Sequence, residues 1–454
     1  MKFRLLKKRR RNPAYFIRKT READALVAEK LVFTDPMYFA KMNRGLPIGD
    51  EDGVIKLYRE EEGLYVIPRN LYADTNWYQP TGMSHESKIT LRDYQQKASE
   101  SLMANRGDKI LCLACGKGKT VVAIDAACRG ARLPMLVVVH TKALLSQWVE
   151  RIKEHAGVSE DDIGMLHRDR ADWYGKKFVV AMLHTLVQRQ DTYPTELYDY
   201  FNLVVFDECH RLAAHWFSDV CWQFGCERWG LTATPERDDK LEFVFKYHLG
   251  PICHTDTVQD LRPTMYFVHT GIDDKDERVV LRKQRDGRVS LPLLVTSLAN
   301  HSGRNAIINS FVRRAINKDR TALVLGERVA SLQYLMGTLQ HESKSLFLGG
   351  MKEAEASEAL KAQVVYATQQ MAKEGLDRPA FDTLIIAHPF TGKGRLKQTG
   401  GRILRSREGK QHPVILVLQD DLGVSKAMCS IMRRHAESFR WRVKHVDSNG
   451  KRVR

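Results

Sequence analysis

Ile110-Leu111-Cys112-Leu113-Ala114-Cys115-Gly116-Lys117-Gly118-Lys119-Thr120 reads as a short buried strand that breaks into a Gly/Lys-rich turn and then opens a helix over 120–128. Four apolar residues bounded by turn residues suit a strand covered on both faces. Glycines at 116 and 118 let backbone N–H groups curl around phosphate oxygens at a helix start. Lys119 supplies positive charge to the outer phosphates, and the Thr120 hydroxyl can ligate Mg²⁺. The common form of such a loop has glycine where this chain has Leu113, so this is a variant. A chance Gly/Lys-rich turn is the bland alternative, and the strand before it and helix after it argue against that.

Outward from this loop the chain alternates. Apolar β-rich runs at 110–113, 135–139, 178–182, 203–206 and 229–231 are separated by helical stretches such as 120–128 and 142–156. Short buried strands alternating with helices predict a parallel sheet covered on both faces. A second series at 264–269, 321–325, 364–367, 383–387 and 414–418 predicts a second such lobe. Residues 1–85 differ. Asp52-Gly53 and Glu62-Gly63 flank runs at 54–58 and 64–67, which reads as a small β-rich unit. The chain then divides into an accessory, DNA-binding region (1–85), lobe 1 (86–252), lobe 2 (253–425) and a basic tail (426–454). Lobe 2 carries an insertion near 275–295, where Asp286-Gly287 favours a hairpin turn.

The second chemical signal is Leu203-Val204-Val205-Phe206-Asp207-Glu208-Cys209-His210, an apolar strand ending in two acids. Asp207 at a strand end can hold Mg²⁺ through water, and Glu208 can accept a proton from an attacking water. An acidic strand end without function loses weight because the phosphate-loop pattern precedes it at a plausible distance.

Asp207-Glu208-Cys209-His210 resembles the DExH box of superfamily 2 helicases, and further blocks similar to that family follow in its order over roughly 88–420. Leu91-Arg92-Asp93-Tyr94-Gln95 resembles the segment that contacts adenine, through Gln95. Val137-Val138-Val139-His140-Thr141-Lys142 and Ala181-Met182-Leu183-His184-Thr185 resemble blocks that grip a nucleic-acid strand. Gly230-Leu231-Thr232-Ala233-Thr234-Pro235 resembles the block that couples hydrolysis to movement. Ala367-Thr368 through Glu374-Gly375-Leu376-Asp377 resembles motif V, and Gln398-Thr399-Gly400-Gly401-Arg402-Ile403-Leu404-Arg405 fits motif VI. The resemblance implies two tandem RecA-like lobes. It implies ATP and Mg²⁺ as cofactors, with Gln95, Gly116, Lys117, Gly118, Lys119, Thr120, Gly375 and Asp377 at the nucleotide. Catalysis would fall to Lys119, Asp207, Glu208, Gln398, Arg402 and Arg405, the two arginines reaching across from lobe 2 as fingers. Coupling would fall to His210, Thr232, Ala233 and Thr234, and strand contacts to Thr141, Lys142, His184, Thr185 and Thr368. The loop and the Leu91–Gln95 opening resemble the branch that includes XPB, RecG and phage UvsW-type helicases, and the front region looks most like the UvsW-type proteins. That likeness implies branch migration and unwinding of forks, Holliday junctions, D-loops and R-loops. An RNA helicase and a translocase that does not unwind are the alternatives.

The 454-residue chain carries net charge +17, with nine Lys/Arg and no acid in residues 1–20. Residues 425–454 hold nine Lys/Arg against Glu437 and Asp447. A polyanionic partner follows naturally, bound mostly through phosphates and without base-specific readout. Cys112 and Cys115 form a C-x-x-C inside the phosphate loop with no second pair at zinc spacing, and the eight scattered cysteines suit a reducing cytoplasm. No apolar run long enough to span a bilayer occurs, and a monomer is expected.

Overall fold

The structure, a computed structural model, describes residues 14–42, 53–71, 82–104, 106–213, 218–237, 239–257, 261–284, 287–371, 378–405 and 409–453. Motif V residues Gly375 and Asp377, the aromatic pair Trp77 and Tyr78, and the first thirteen residues lie outside that description. The chain forms two compact units, Met1–Thr257 and Val258–Arg454.

In the first unit the front region supplies β1 (Ala14–Arg18), β2 (Val32–Thr34), β3 (Val54–Lys56), β4 (Arg59–Glu61) and β5 (Leu64–Pro68). β4 and β5 form a hairpin closed by Glu62 and Gly63, both with positive φ (41° and 79°), the backbone that a two-residue hairpin turn requires. β1 lies antiparallel on the other side of β5, Ala14 opposite Pro68. The second antiparallel pair is β2–β3.

Eight further strands build one sheet: β6 (Lys109–Leu113), β7 (Met135–Val139), β8 (Ile163–His167), β9 (Arg170–Asp172), β10 (Phe178–Met182), β11 (Leu203–Asp207), β12 (Glu227–Thr232) and β13 (Ile252–Asp256). Their order is β13-β6-β12-β11-β7-β10-β8-β9, parallel throughout except the β8–β9 pair. Successive side chains serve opposite faces, as a strand demands. Leu136, Val138, Val204 and Phe206 join one core, while Met135, Val137, Val139, Leu203 and Val205 join the other. The first of these cores also takes in Tyr15, Ile17, Val27, Leu31, Ile55 and Ile67, so the front region is packed against lobe 1.

A charged joint fixes that packing. Arg69 and Asp108 are both buried and ion-paired, with Arg69 Nε 2.6 Å from Asp108 Oδ2. Asn70 Nδ2 donates to the same Oδ2 at 2.7 Å, and the Arg228 backbone N–H donates to Oδ1 at 2.8 Å. Burial alone would raise the Asp108 carboxyl, yet the Arg69 and Arg228 guanidiniums hold it below its ordinary range.

In the second unit β14 (Thr264–His269), β15 (Ala322–Gly326), β16 (Lys344–Phe347), β17 (Val364–Thr368), β18 (Thr383–Ile386), β19 (Val414–Gln419) and β20 (Arg442–Asp447) run parallel in the order β16-β17-β15-β18-β19-β14-β20. The same alternation recurs: Leu323, Leu325, Ile415 and Val417 face one core, and Ala322, Val324, Leu416 and Leu418 the other.

One expectation changes here. Residues 426–453 are not a tail. The helix Gly423–Ser438 buries Ser425, Cys429, Met432 and Ala436, a 3.6-residue repeat. β20 then pairs with β14 from Arg442–Thr264 to Asp447–His269. Counting charge there concealed the apolar stripe between the charges. The insertion keeps its hairpin, with Lys283 bridged to Val289 and Gln284 N donating to Arg288 O at 2.7 Å. Its second arm turns directly into the helix Leu291–Asn300, whose Leu294 and Leu298 pack with Ile272 and Leu422.

Removing Asp108 leaves two buried guanidiniums uncompensated, so Asp108→Ala should cost roughly 3–5 kcal/mol in urea unfolding. A loss below about 1 kcal/mol would contradict the joint. His248 gives a pH test. It is fully buried, edge-on to Trp222 with ring centroids 4.9 Å apart, and burial, aided by Arg228, pushes its pKa down to about 3. The unfolded chain has a histidine pKa near 6.5. As pH falls below that, the unfolded state binds the proton first, so stability present above pH ~6.5 is lost toward pH 3, by up to about 1.4 kcal/mol per pH unit. His248→Phe should flatten the unfolding free energy between pH 6.5 and 4.5 by that slope, and an unaltered slope would refute it.

Candidate nucleotide and strand-binding site

Except for Leu91–Gln95, which opens a helix ahead of β6, the blocks singled out in lobe 1 follow the carboxyl end of a parallel strand, the edge where α/β sheets carry ligands. β6 leads into the phosphate loop, β7 into His140–Lys142, β10 into Leu183–Thr185, β11 into the DExH acids and β12 into Ala233–Thr234.

The loop takes the backbone form its glycines allow. Gly116 and Gly118 have φ of 84° and 79°, and Gly118 caps the helix Lys119–Arg129. A Cβ on Gly118 would stand 2.5 Å from Gln95 Nε2, because Gln95 donates from that atom to Lys117 O at 3.1 Å. Gln95 Oε1 in turn accepts from Arg92 N at 3.0 Å. The adenine-contact segment and the loop are therefore one hydrogen-bonded assembly. The two lysines differ. Lys117 is buried, pairs with Asp256 at 2.6 Å and sits 4.9 Å from the Tyr94 ring centroid, so its side chain ties the loop to β13. Lys119 is half-buried, with Nζ 3.4 Å from Leu113 O at the head of the loop.

At the end of β11, Asp207 Oδ2 accepts from Trp148 Nε1 at 2.9 Å and Oδ1 accepts from Glu208 N at 2.9 Å. Burial, then the neighbouring Glu208 charge, pushes the Asp207 carboxyl up to about 6. A cation beside it would relieve both effects. Glu208 has a left-handed backbone, φ 50°, which costs a non-glycine residue free energy and aims the side chain off the strand line. His210 Nδ1 lies 3.4 Å from Glu208 Oε2 and 3.3 Å from Thr232 Oγ1. Thr232 Oγ1 donates to Thr234 O and accepts from Thr234 N, both at 3.1 Å. The acids and the Thr232–Thr234 turn are thus joined through one imidazole.

A hard-oxygen pair, the Thr120 hydroxyl and the Asp207 carboxylate, fits Mg²⁺, which is held by one or two protein ligands plus phosphates and waters. Among the described residues no group of three or more His, Cys, Asp or Glu is arranged for a metal.

The strand-gripping candidates divide. Thr141 caps the helix Lys142–Ala156, accepting from Leu144 N at 3.3 Å, and Lys142 and His184 are exposed. Thr185 is buried and accepts from Arg168 N at 3.4 Å, so its hydroxyl shapes the loop. In lobe 2, Thr368 accepts from Met371 N at 3.4 Å. Gln398 lies on the helix Lys393–Gly401. Gly400 is required there, since a Cβ would stand 2.4 Å from Trp441 Cη2. Ile403 and Leu404 are buried and anchor the turn, leaving Arg402 and Arg405 half-buried on either side.

Two contributors were not read from the sequence: Trp148, which holds Asp207, and Asp256, which pairs with Lys117. Trp148 looks like one more apolar position of an amphipathic helix, and Asp256 lies on a strand with no sequence signature. Nothing local marks either.

Residues 88–237 match the family described as "Type III restriction enzyme, res subunit". A protein of Acanthamoeba polyphaga mimivirus, L396, named as an ATP-dependent RNA helicase, is 28% identical over 343 residues, which is 73% of this chain and 64% of that one. DNA 3′-5′ translocase XPB2 of Sulfurisphaera tokodaii is 34% identical over 178 residues, 39% of this chain and 38% of its own. The chain therefore spans less than two thirds of either relative. S. cerevisiae Dbp5 bound to RNA and ADP BeF3 shares the fold at TM-score 0.57, 13% identical, over 79% of this chain and 90% of that one. T4 UvsW stands among the structural neighbours at 18% identity and TM-score 0.40, over 95% of this chain and 98% of that one. The two parallel-sheet lobes share the RecA-like fold of helicase structures such as Dbp5, and residues 88–237 are similar to the res-subunit family. No helix among the described residues is long and apolar enough to cross a membrane.

Gly118→Ala should raise the KM for ATP about tenfold or more, because it strains the loop and displaces Gln95 together. Lys119→Ala should abolish turnover while nucleic-acid binding persists. Steady-state ATPase assays and a filter-binding assay read both, and normal turnover in Lys119→Ala would remove the phosphate-loop assignment.

Proposed function

We propose that the chain is an ATP-driven DNA motor that unwinds or branch-migrates branched DNA: forks, Holliday junctions, D-loops and R-loops. The observation that carries the motor reading is the chain of contacts Gln95–phosphate loop and Asp207–Glu208–His210–Thr232 along one sheet edge. It links nucleotide-facing groups to the loop that follows β12, so a change at the acids is felt beyond them.

In this reading the loop amides and the Lys119 ammonium hold the outer phosphates, and Gln95 holds the base end. Thr120 and Asp207 would hold Mg²⁺, which when bound neutralises charge on the phosphate oxygens. Glu208 takes the proton of the attacking water. Arg402 and Arg405 place guanidiniums at the developing charge, with Gln398 lining the same site, during turnover. Thr141, Lys142, His184 and Thr368 contact strand phosphates, the buried Thr185 shapes the loop beside them, and the outside-lying Gly375 and Asp377 keep their motif V assignment. The front region, fixed to lobe 1 by Arg69 and Asp108, is the candidate for recognising the branch.

DNA as substrate is supported by the likeness of the loop and of the Leu91–Gln95 opening to the XPB and UvsW-type branch, and by the +17 charge. An RNA duplex is the second reading, favoured by the length of the match to L396.

Glu208→Gln should bind ATP tightly with little turnover, and Arg405→Ala should keep ATP binding while losing about 10³-fold in kcat. An unchanged rate in Arg405→Ala would dismiss the finger. Strand displacement on forks, Holliday junctions, D-loops, R-loops and an RNA duplex of equal length should favour branched DNA. Preference for the RNA duplex would reverse the substrate, and translocation without unwinding would make the chain a pure translocase.

A further inference from the structure

His140 follows β7 directly and precedes the helix cap Thr141 by one residue. It is 9% exposed, and among the described residues neither of its ring nitrogens has a hydrogen-bond partner. A buried polar ring without a partner is costly and calls for an account. The ring borders a cavity whose other walls include Val138, Phe206, Asp207, Glu208 and Arg211. That cavity measures about 10 Å³, which admits about one water and no larger ligand. The walls offer such a water polar partners in His140, Glu208 and Arg211, within the two to four that a buried water uses. Besides Arg211 and Glu208, the charged and titratable groups acting on the ring are His210 and His184. His140 therefore stands between the hydrolytic acid and two loops assigned to the nucleic-acid strand.

We infer that His140 is a positioning residue of the hydrolytic centre, holding Glu208 through one water in the cavity they share and passing to it the state of the strand-gripping loop that begins at Thr141. This rests on the reading of Glu208 as proton acceptor and of Thr141-Lys142 as a strand contact. A bound strand that pulls on Thr141 and Lys142 shifts the neighbouring ring and, with it, the carboxylate. Strand binding then speeds hydrolysis without a new contact to nucleotide.

The test uses the full chain and a single-stranded DNA oligonucleotide. His140→Leu keeps the volume and removes the polar ring. It should leave the melting temperature and the KM for ATP near wild type and lower DNA-stimulated kcat about tenfold, the value of one lost hydrogen bond. His140→Gln, with an amide reaching the ε position, should recover most of that rate. A wild-type stimulated kcat in His140→Leu overturns the inference, as does a folded His140→Gln no better than His140→Leu. Should His140→Leu fail to fold, His140→Asn replaces it: the shorter amide should be slow where His140→Gln is fast, and equal rates overturn the inference. Glu208→Gln runs alongside. If it still turns over, the fault lies with the proton-acceptor reading; if it is inactive while His140→Leu is normal, the fault lies with His140.

Discussion

A parallel sheet with both faces buried has no face left for chemistry, so ligands meet it at the strand ends. Both lobes are built under this constraint. In lobe 1, Val204 and Phe206 point into one core and Leu203 and Val205 into the other, so the first carboxylates along the strand are Asp207 and Glu208 where β11 stops. The phosphate loop after β6 and the Thr232–Thr234 turn after β12 arise in the same way. Because β6, β12, β11 and β7 are neighbours in one parallel sheet, their ends lie side by side.

The acids occupy an electrostatically unfavourable place. Burial and mutual repulsion raise Asp207, and the Trp148 indole N–H, the Lys119 charge and the Glu208 backbone amide offset this only in part. The left-handed backbone at Glu208 adds strain. Sites that must receive a cation and a polyanion carry such costs, and the surrounding packing sustains them. Trp148, at 1% exposure, is part of that packing as well as a hydrogen-bond donor.

The front region belongs to the same economy of burial. It lends apolar side chains to one face of the lobe 1 sheet and closes the seam with the Arg69–Asp108 pair. The antiparallel strands are therefore joined to the lobe 1 sheet by a buried, charged contact.

Local chemistry made much of this legible. Buried strands at 135–139, 178–182 and 264–269 and the helix over 142–156 declare themselves by apolar runs and periodicity. The loop at 116–120 is written in its glycines, and the ends of β11 and β12 in their acids and threonines. These signals depend only on neighbours along the chain. What the tertiary structure decided depends on neighbours across it. Trp148 meets Asp207 across 59 residues, Lys117 meets Asp256 across 139, and Arg69 meets Asp108 only after the front region packs on lobe 1. The basic stretch 426–453 became a helix and a strand because a sheet edge was there to receive Val446 and a core to receive Met432 and Trp441. Periodicity carries the elements, whereas partners for buried charge are chosen only when distant elements meet.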